Sequence, residues 1–228
     1  MTAKMIKLPV KNHDMVYGLH AKKVVCLGKN YVAHAKEFDS QIPSEPMFFC
    51  KTPTCLIANE KPIILPRKEL GVERVDHEVE LAIIIGEDCK NVNEDEAMDY
   101  VFGYTVFNDV TARDLQKRDI AKLWPWFRSK NFDTFGPIGP VIVLRDELDP
   151  QNIPLELKVN GVVKQKSSTK EMLFPVKKLI SFISKYVTLE EGDVIATGTP
   201  DGVGPIKAGD TVEATIEPIG TLRNPVQE

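Results

Sequence analysis

Two glutamates at alternating positions are the most informative chemical feature of the sequence. Glu78 and Glu80 lie in the run D-H-E-V-E-L-A-I-I-I, which spans positions 76–85. Side chains on a strand alternate between its two faces, so both glutamates share one face of a predicted strand. Adjacent buried carboxylates repel each other, and a hard divalent cation with oxygen ligands removes that penalty. The pair by itself is a weak signal and is also typical of a strand end whose glutamates are solvated, so both interpretations stay open at this point.

A third carboxylate, Asp109, ends the predicted strand Val101 to Val110, just before a predicted helix start at Thr111-Ala-Arg-Asp114. An isolated aspartate here is typical of a turn or a helix cap. Its position would also allow its carboxylate to lie close to those of Glu78 and Glu80. Three carboxylates with water suit Mg²⁺ or Mn²⁺, and the sequence has no thiolate or histidine cluster of the kind that binds zinc.

His34 and Glu37 have the spacing that places two side chains on one face of a helical turn. A carboxylate beside an imidazole fixes the tautomer of the ring and raises its basicity, which makes His34 a candidate general base toward water. The alternative is a surface ion pair without a catalytic role.

Two loops could also contribute to a site. Lys130 is predicted in a loop, positions 128–140, that is rich in Gly, Pro and aromatic residues. The Gly-rich stretch from Thr197 to Gly204 follows a predicted strand and lacks the spacing of a phosphate-binding or dinucleotide-binding loop. Its backbone N–H groups could surround a carboxylate, or the stretch could simply be a tight turn.

The remaining pattern predicts a mostly β protein with a few helices, of the α+β class, in one compact domain. Asn160-Gly161 between alternating segments predicts a β-hairpin with a type I′ turn. Pro175 and the apolar spacing that follows it predict a helix over the next turns.

The composition excludes several functional classes. The chain has 228 residues, a net charge of −4 and 43% hydrophobic residues. It has no basic excess of the kind that nucleic-acid binders show, and no apolar run approaches the roughly 20 residues that span a bilayer. The N-terminus has no stretch of signal-peptide length, so we expect a soluble cytoplasmic protein that binds neither nucleic acid nor membrane. The four cysteines form no C-x-x-C pair and are predicted to be reduced thiols.

Six motifs in a fixed order resemble the fumarylacetoacetate hydrolase family. They are G-K-N-Y-x-x-H-x-x-E, F-x-x-K, H-E-x-E-L, D-x-T-A-R-D-x-Q, K-x-F-D-T-F-x-P-x-G-P and T-G-T-P-x-G-V-G. The resemblance runs from about Val24 to Gly204 and extends through the C-terminal strands. The short chain and the H-x-x-E motif look most like the branch of acylpyruvate hydrolases and oxaloacetate decarboxylases.

The resemblance implies a mixed β-sandwich roll, a homodimer and one Mg²⁺ (or Mn²⁺) ion per subunit. It implies a catalytic domain over residues 21–228, with residues 1–20 as an N-terminal extension that packs on it. The implied metal ligands are Glu78, Glu80 and Asp109; the implied catalytic residues are His34, Glu37 and Lys130; the implied substrate-binding residues are Lys51, Arg113, Gln116 and Thr199.

The expected function is Mg²⁺-dependent cleavage of a C–C bond in small 2-keto acids or diacids. The protein would act as an acylpyruvate hydrolase, an oxaloacetate decarboxylase or both. One alternative keeps the fold and the metal but changes the reaction, to an isomerase or decarboxylase of unsaturated dicarboxylates such as 2-hydroxyhepta-2,4-diene-1,7-dioate. The other alternative is a homologue that binds a metal without catalysis.

Overall fold

Strands form most of the regular secondary structure, as the patterning predicts. The computed structural model describes residues 5–37 and 41–228. The strands are β1 (Ile6–Pro9), β2 (Val16–Leu19), β3 (Val24–Gly28), β4 (Met47–Lys51), β5 (Leu56–Ile57), β6 (Ile63–Ile64), β7 (Val75–His77), β8 (Val79–Ile85), β9 (Val101–Asn108), β10 (Thr111–Ala112), β11 (Gly136–Leu144), β12 (Pro154–Val159), β13 (Val162–Ser168), β14 (Val194–Ala196), β15 (Gly204–Ile206), β16 (Thr211–Ile216) and β17 (Gly220–Gln227). The α-helices are α1 (Val32–Glu37), α2 (Arg113–Ala121), α3 (Phe127–Lys130) and α4 (Val176–Tyr186), and single 3₁₀ turns occur at Pro53–Cys55, Lys68–Leu70, Ala97–Tyr100, Arg145–Glu147 and Thr169–Glu171.

A seven-stranded sheet with the order β4-β3-β14-β8-β9-β11-β5 forms the centre of the fold. β8 and β9 are antiparallel neighbours in its middle, paired from Val79↔Asn108 to Ile85↔Val101. Every residue of β8 is buried, because both faces of the sheet are covered. This explains why the sequence is apolar at consecutive positions beyond Glu80 rather than alternating.

Each face of this sheet contributes to a hydrophobic core. On one side, Leu81 and Ile83 of β8 share a core with Leu157 of β12, Ile216 of β16 and Ile180 of α4. Strands β12 and β16 belong to a five-stranded sheet with the order β13-β12-β16-β17-β6. Each fully buried Leu or Ile stabilises the fold by roughly 1.5–3 kcal/mol.

The opposite face of the central sheet is covered by the hairpin of β1 and β2. Leu8 and Leu19 of this hairpin share a second core with Val24 of β3 and with Ala82 and Ile84 of β8. The N-terminal strands therefore cover the Ala82 and Ile84 side of β8, the strand that carries Glu80.

A small three-stranded sheet, β10-β7-β15, brings three distant segments together. Asp76 pairs with Thr111, and His77 pairs with Gly204. This sheet therefore brings together the residues immediately before Glu78, those after Asp109 and the end of the Gly-rich loop.

Several predicted elements are confirmed. Asn160 and Gly161 both have positive φ angles, 52° and 76°, and connect β12 to β13 as a type I′ turn requires. The helix predicted after Pro175 is α4, and its apolar stripe faces the core. The mostly β, α+β class is confirmed as well.

Three details of the sequence prediction are wrong. The segment after Asp109 first forms β10, and α2 begins at Arg113. Thr111 does not cap the helix, because its one hydroxyl hydrogen is shared between Glu78 Oε1, at 3.1 Å, and the carbonyl oxygen of Asp109, at 2.9 Å. Lys130 ends helix α3 instead of lying in a loop. The end of that predicted loop, from Gly136 to Pro140, is part of β11, where Gly139 pairs with β9.

The cysteines are free thiols, as predicted; Cys26, Cys55 and Cys89 are buried and Cys50 is exposed. Within the described residues, no helix is long and apolar enough to cross a membrane.

Candidate active site

Three carboxylates converge where the central strands end. Glu80 lies in β8, Glu78 directly precedes it, and Asp109 directly follows β9, its antiparallel neighbour. One carboxylate oxygen from each lies within 4.8 Å of the other two, and all three residues are buried. The backbone holds them there, since Asp109 N donates to Glu78 O at 2.9 Å and Glu78 N donates to Asn108 Oδ1 at 2.9 Å.

Positive side chains surround Glu78. Lys130 Nζ lies 2.8 Å from Glu78 Oε2, while Thr111 and the Arg113 guanidinium donate to Glu78 Oε1. Burial alone would raise the pKa of Glu78, but Lys130 and Arg113 lower it well below its usual range. Glu78 is therefore ionised, and so available as a ligand, throughout the neutral range.

Asp109 is held between two ammonium groups. Lys130 Nζ is 2.5 Å from its Oδ2, and Lys51 Nζ is 2.6 Å from its Oδ1. Burial would lower the pKa of Lys130, yet Asp109 and Glu78 raise it to about 12. Lys130 is thus a fixed positive charge at neutral pH.

The structure places Lys51 beside Asp109. Its ammonium has three donors, and they serve Asp109 Oδ1 and the carbonyls of Val110 and Phe135. The side chain is fully buried behind Asp109. Lys51 therefore contacts a candidate ligand and does not face the cavity where a substrate would bind.

Glu80 differs from its two neighbours. Its Oε2 accepts a hydrogen bond from Gly198 N at 2.8 Å. Within residues 5–37 and 41–228, no lysine, arginine or histidine forms an ion pair with it. Burial and the charges of Asp109 and Glu78 raise its pKa well above the ordinary value. An all-oxygen cluster with one uncompensated buried carboxylate fits a hard divalent cation, which would supply the missing positive charge.

A cavity of about 400 Å³ opens onto Glu78 and Glu80. Seven of the ten predicted site residues line it; Glu37, Lys51 and Asp109 do not. Its full lining is Leu27, Gly28, Lys29, His34, Phe49, Glu78, Glu80, Arg113, Gln116, Lys117, Ile120, Trp126, Lys130 and Thr199.

Arg113 and Gln116 lie together on the first turn of α2. Arg113 Nη1 donates to Gln116 Oε1 at 2.7 Å, and its Nε donates to Asp76 Oδ2 at 2.8 Å. Asp76 also accepts two hydrogen bonds from Arg74. Sequence reasoning missed Asp76, although its place two residues before Glu78 on β7 was a usable signal.

His34 and Glu37 form the pair that their spacing predicts. His34 Nδ1 is 3.3 Å from Glu37 Oε2, and Glu37 Oε1 accepts from Gly202 N at 3.2 Å. Burial, together with the charge of Arg113, lowers the pKa of His34, against opposing effects of Glu78 and Glu37. The imidazole is neutral at pH 7 and can accept a proton.

Buried amides hold the Gly-rich loop, and sequence reasoning gave them no role. Asn30 Nδ2 donates to Thr197 O at 2.8 Å, and its Oδ1 accepts from Phe174 N at 2.9 Å. Gln165 Nε2 donates to Thr199 Oγ1 at 2.8 Å. Asn30 lies in a recognisable motif, whereas Gln165 lies on a hairpin strand that carried no chemical signal.

The family follows from comparison with known proteins. Residues 23–227 match the family model described as fumarylacetoacetate (FAA) hydrolase C-terminal. The chain belongs to the fumarylacetoacetate hydrolase family. The predicted family and its α+β fold are therefore confirmed. The similar hydrolases and isomerases described next support the conclusion that the chain is an enzyme.

Three relatives illustrate the range of the family. A mitochondrial oxaloacetate tautomerase of Arabidopsis thaliana is 45% identical over 205 residues, 90% of this chain and 91% of the relative. The crystal structure of fumarylpyruvate hydrolase from Pseudomonas aeruginosa in complex with Mn²⁺ and pyruvate has a TM-score of 0.89 and 30% identity, covering 98% of this chain and 96% of that one. The 2-hydroxyhepta-2,4-diene-1,7-dioate isomerase from Mycobacterium marinum has a TM-score of 0.82 and 45% identity, covering 93% and 78%.

Proposed function

We propose that the protein is a divalent-metal-dependent enzyme that cleaves a C–C bond in small 2-keto acids. Its reaction would be the hydrolysis of acylpyruvates, the decarboxylation of oxaloacetate, or both. The observation that carries the proposal is the buried cluster of Glu78, Glu80 and Asp109 beside a cavity that also contains Lys130 and His34. The relatives with Mn²⁺, pyruvate and oxaloacetate in their names support the same class of substrate.

The three carboxylates would hold Mg²⁺ or Mn²⁺. When bound, such an ion supplies a Lewis acid that polarises the keto and carboxylate oxygens of a 2-keto acid. Arg113 and Thr199 on the cavity wall provide a positive charge and a hydroxyl for the substrate carboxylate. These groups orient the substrate before any bond breaks.

Lys130 would stabilise the developing negative charge. Breaking the bond between C3 and the leaving group puts an electron pair onto the keto oxygen, in both hydrolysis and decarboxylation. The pKa of Lys130, raised to about 12, keeps its ammonium charged at neutral pH. A fixed positive charge in a buried site stabilises such an oxyanion strongly, because no reorganisation is needed at the moment of reaction.

His34 would act on water in the hydrolytic reaction. Its neutral ring takes a proton from a water molecule that attacks the distal carbonyl carbon, and Glu37 on Nδ1 stabilises the imidazolium that forms. The C3–C4 bond then breaks, and C3 is protonated to give pyruvate. Decarboxylation needs no attacking water, so His34 is not required for it.

A second candidate is an isomerase or tautomerase. The relatives named as an oxaloacetate tautomerase and a dienedioate isomerase favour it. The same groups would serve, since Lys130 stabilises the enolate and His34 can move a proton between carbon and oxygen. The alternative without catalysis has no comparable support.

A substrate panel tests these alternatives. The purified protein is assayed with acetylpyruvate, fumarylpyruvate, oxaloacetate and 2-hydroxyhepta-2,4-diene-1,7-dioate, and product analysis separates cleavage from tautomerisation. We expect pyruvate release from at least one acylpyruvate or from oxaloacetate, abolished by EDTA and restored by Mg²⁺ or Mn²⁺ better than by Zn²⁺. Activity that survives exhaustive chelation contradicts the metal assignment, and tautomerisation without pyruvate release favours the second candidate.

We further propose that residues 21–228 form the catalytic domain, with residues 1–20 as an extension, and that the protein is a homodimer. The β1–β2 hairpin supports the first point, because it packs on the central sheet. Light scattering on the full chain tests the second, and a monomeric mass at micromolar concentration would refute it.

A further inference from the structure

Gln165 lies on β13, outside the cavity, and its side chain is 1% exposed. Its amide oxygen accepts a hydrogen bond from Val79 N at 3.1 Å and contacts His77 Nδ1 at 3.0 Å. Its amide nitrogen donates to Thr199 Oγ1 at 2.8 Å and to Pro200 O at 2.9 Å. One end of this amide therefore contacts the strand that carries Glu80, and the other contacts the loop that lines the cavity.

The orientation of the Gln165 amide is determined by its partners. The N–H of Val79 can only donate and the carbonyl of Pro200 can only accept, so exchanging the amide oxygen and nitrogen would leave two repulsive contacts. Gln165 must then donate to the hydroxyl oxygen of Thr199. A threonine hydroxyl has one hydrogen, and this contact leaves that hydrogen for another acceptor.

The loop is also held against β13 at a second point. Gly202 has φ +88°, and a Cβ at this position would lie 2.2 Å from the carbonyl oxygen of Lys164. The backbone of the loop therefore packs directly on the strand next to Gln165. This contact keeps Thr199, which lines the cavity, within reach of the amide.

We propose that Gln165 is a positioning residue that makes the Thr199 hydroxyl a hydrogen-bond donor toward the carboxylate of a bound 2-keto acid. The nature of this ligand rests on the proposed function. Gln165 does not touch the substrate; it acts through Thr199 alone.

The Gln165→Glu variant tests this role because it keeps the size and removes the donor. An ionised glutamate accepts the Thr199 hydrogen and so removes the donor from the cavity. We expect KM for acetylpyruvate or oxaloacetate, and the dissociation constant of pyruvate measured by calorimetry, to rise about 10–100-fold, the range for a hydrogen bond to a charged group. The kcat should change little, since this bond is made equally in the ground state and the transition state.

A double-mutant cycle separates this role from a structural one. Thr199→Val removes the hydroxyl, and Gln165→Glu in that background should raise the pyruvate dissociation constant no further. The matched control is Asn224→Asp, another buried amide, which lies on β17 and donates to the carbonyls of Ala58 and Lys61; none of these three residues lines the cavity. It should lower Tm and leave KM unchanged. The increase in Tm on adding Mg²⁺ should be the same in Gln165→Glu as in the wild type.

Additive effects in the cycle, or a decrease in kcat without an increase in KM, overturn the role of Gln165. If Gln165→Glu does not fold, Gln165→Met replaces it, and its increase in KM should again disappear in the Thr199→Val background. A wild-type chain that binds pyruvate without turning over any substrate contradicts the proposed function only. A wild-type chain that does not bind pyruvate contradicts both proposals.

Discussion

Glu78, Glu80 and Asp109 are attached to neighbouring strands in the middle of the central sheet, whereas His34 and Glu37 belong to a six-residue helix at the edge of the cavity. The carboxylates are at most 4% exposed, and backbone hydrogen bonds hold two of them in register. The side chains of the α1 pair are 11% and 32% exposed and meet at 3.3 Å. Glu78, Glu80 and His34 line the same cavity, but the carboxylates are fixed within a sheet whereas the α1 pair lies on a short helix.

This difference separates two kinds of function. The strand-held carboxylates form a preorganised cluster of charges, which should be required for every reaction that develops negative charge on the substrate. The α1 pair contributes one proton-transfer group, which should matter only where a proton must move. Substitutions in the two halves should therefore differ both in size and in selectivity between substrates.

The largest effect is expected for Glu80→Gln. This change removes one of the three proposed metal ligands while keeping the shape of the side chain, so turnover of every substrate should fall to background. The increase in Tm that Mg²⁺ produces in the wild type should also be lost. The matched control is Glu87→Gln, an exposed glutamate just beyond β8, which should retain both properties. A Glu80→Gln variant that keeps its Mg²⁺-dependent increase in Tm would remove Glu80 from the ligand set.

The next effect is selective. His34→Ala removes the candidate general base, which should reduce kcat/KM for acetylpyruvate hydrolysis by about 10²–10⁴-fold and that for oxaloacetate decarboxylation much less. In the wild type, hydrolysis should decline as the pH falls through the His34 pKa, which lies below the ordinary 6.5, because only the neutral ring accepts a proton. His20→Ala, at an exposed histidine, is the control. Equal losses on both substrates would mean that His34 has a shared role, such as protonating the enolate.

Lys130→Ala should reduce both reactions by about 10²–10³-fold, the usual effect of removing one group that stabilises an oxyanion. We group Lys130 with the three carboxylates, because its ammonium contacts both Glu78 and Asp109. Lys185→Ala, at an exposed lysine on α4, is the matched control for loss of a positive charge. Metal affinity is measured alongside by calorimetry. A decrease in hydrolysis without a decrease in decarboxylation would group Lys130 with His34 and Glu37 instead.

The smallest effect concerns stability without metal. The folded state raises the pKa of Glu80 above its ordinary 4.5, so the folded chain binds more protons there than the unfolded chain, and stability decreases as the pH rises above that value. Glu80→Gln removes this penalty. In EDTA at pH 7.5 its Tm should exceed that of the wild type by a few degrees, at about 2–4 °C per kcal/mol, and the difference should shrink at pH 4. A lower Tm at pH 7.5 would show that Glu80 is not an uncompensated charge.

Particular residues show how far the sequence alone reaches. The Asn160-Gly161 turn and helix α4 were predictable because local conformational preference and apolar spacing determine them. The motifs also identified ten candidate site residues, and seven of them line one cavity. Thr111 was predicted to begin a helix because of its neighbours in sequence. In the folded chain its hydroxyl contacts the carboxylate of Glu78, which is distant in sequence.

The sequence by itself determined the α+β class, the strands that carry the carboxylates and the residue types at the site. Only the tertiary structure decided which charges meet. Lys51 and Asp109 are 58 positions apart, and Gln165 and Thr199 are 34 apart, so no local pattern predicts either contact. The sequence does not distinguish Lys51, which lies behind Asp109, from Lys130, which lines the cavity. They differ in how many of their donors the folded chain uses, and that depends on which strands become neighbours.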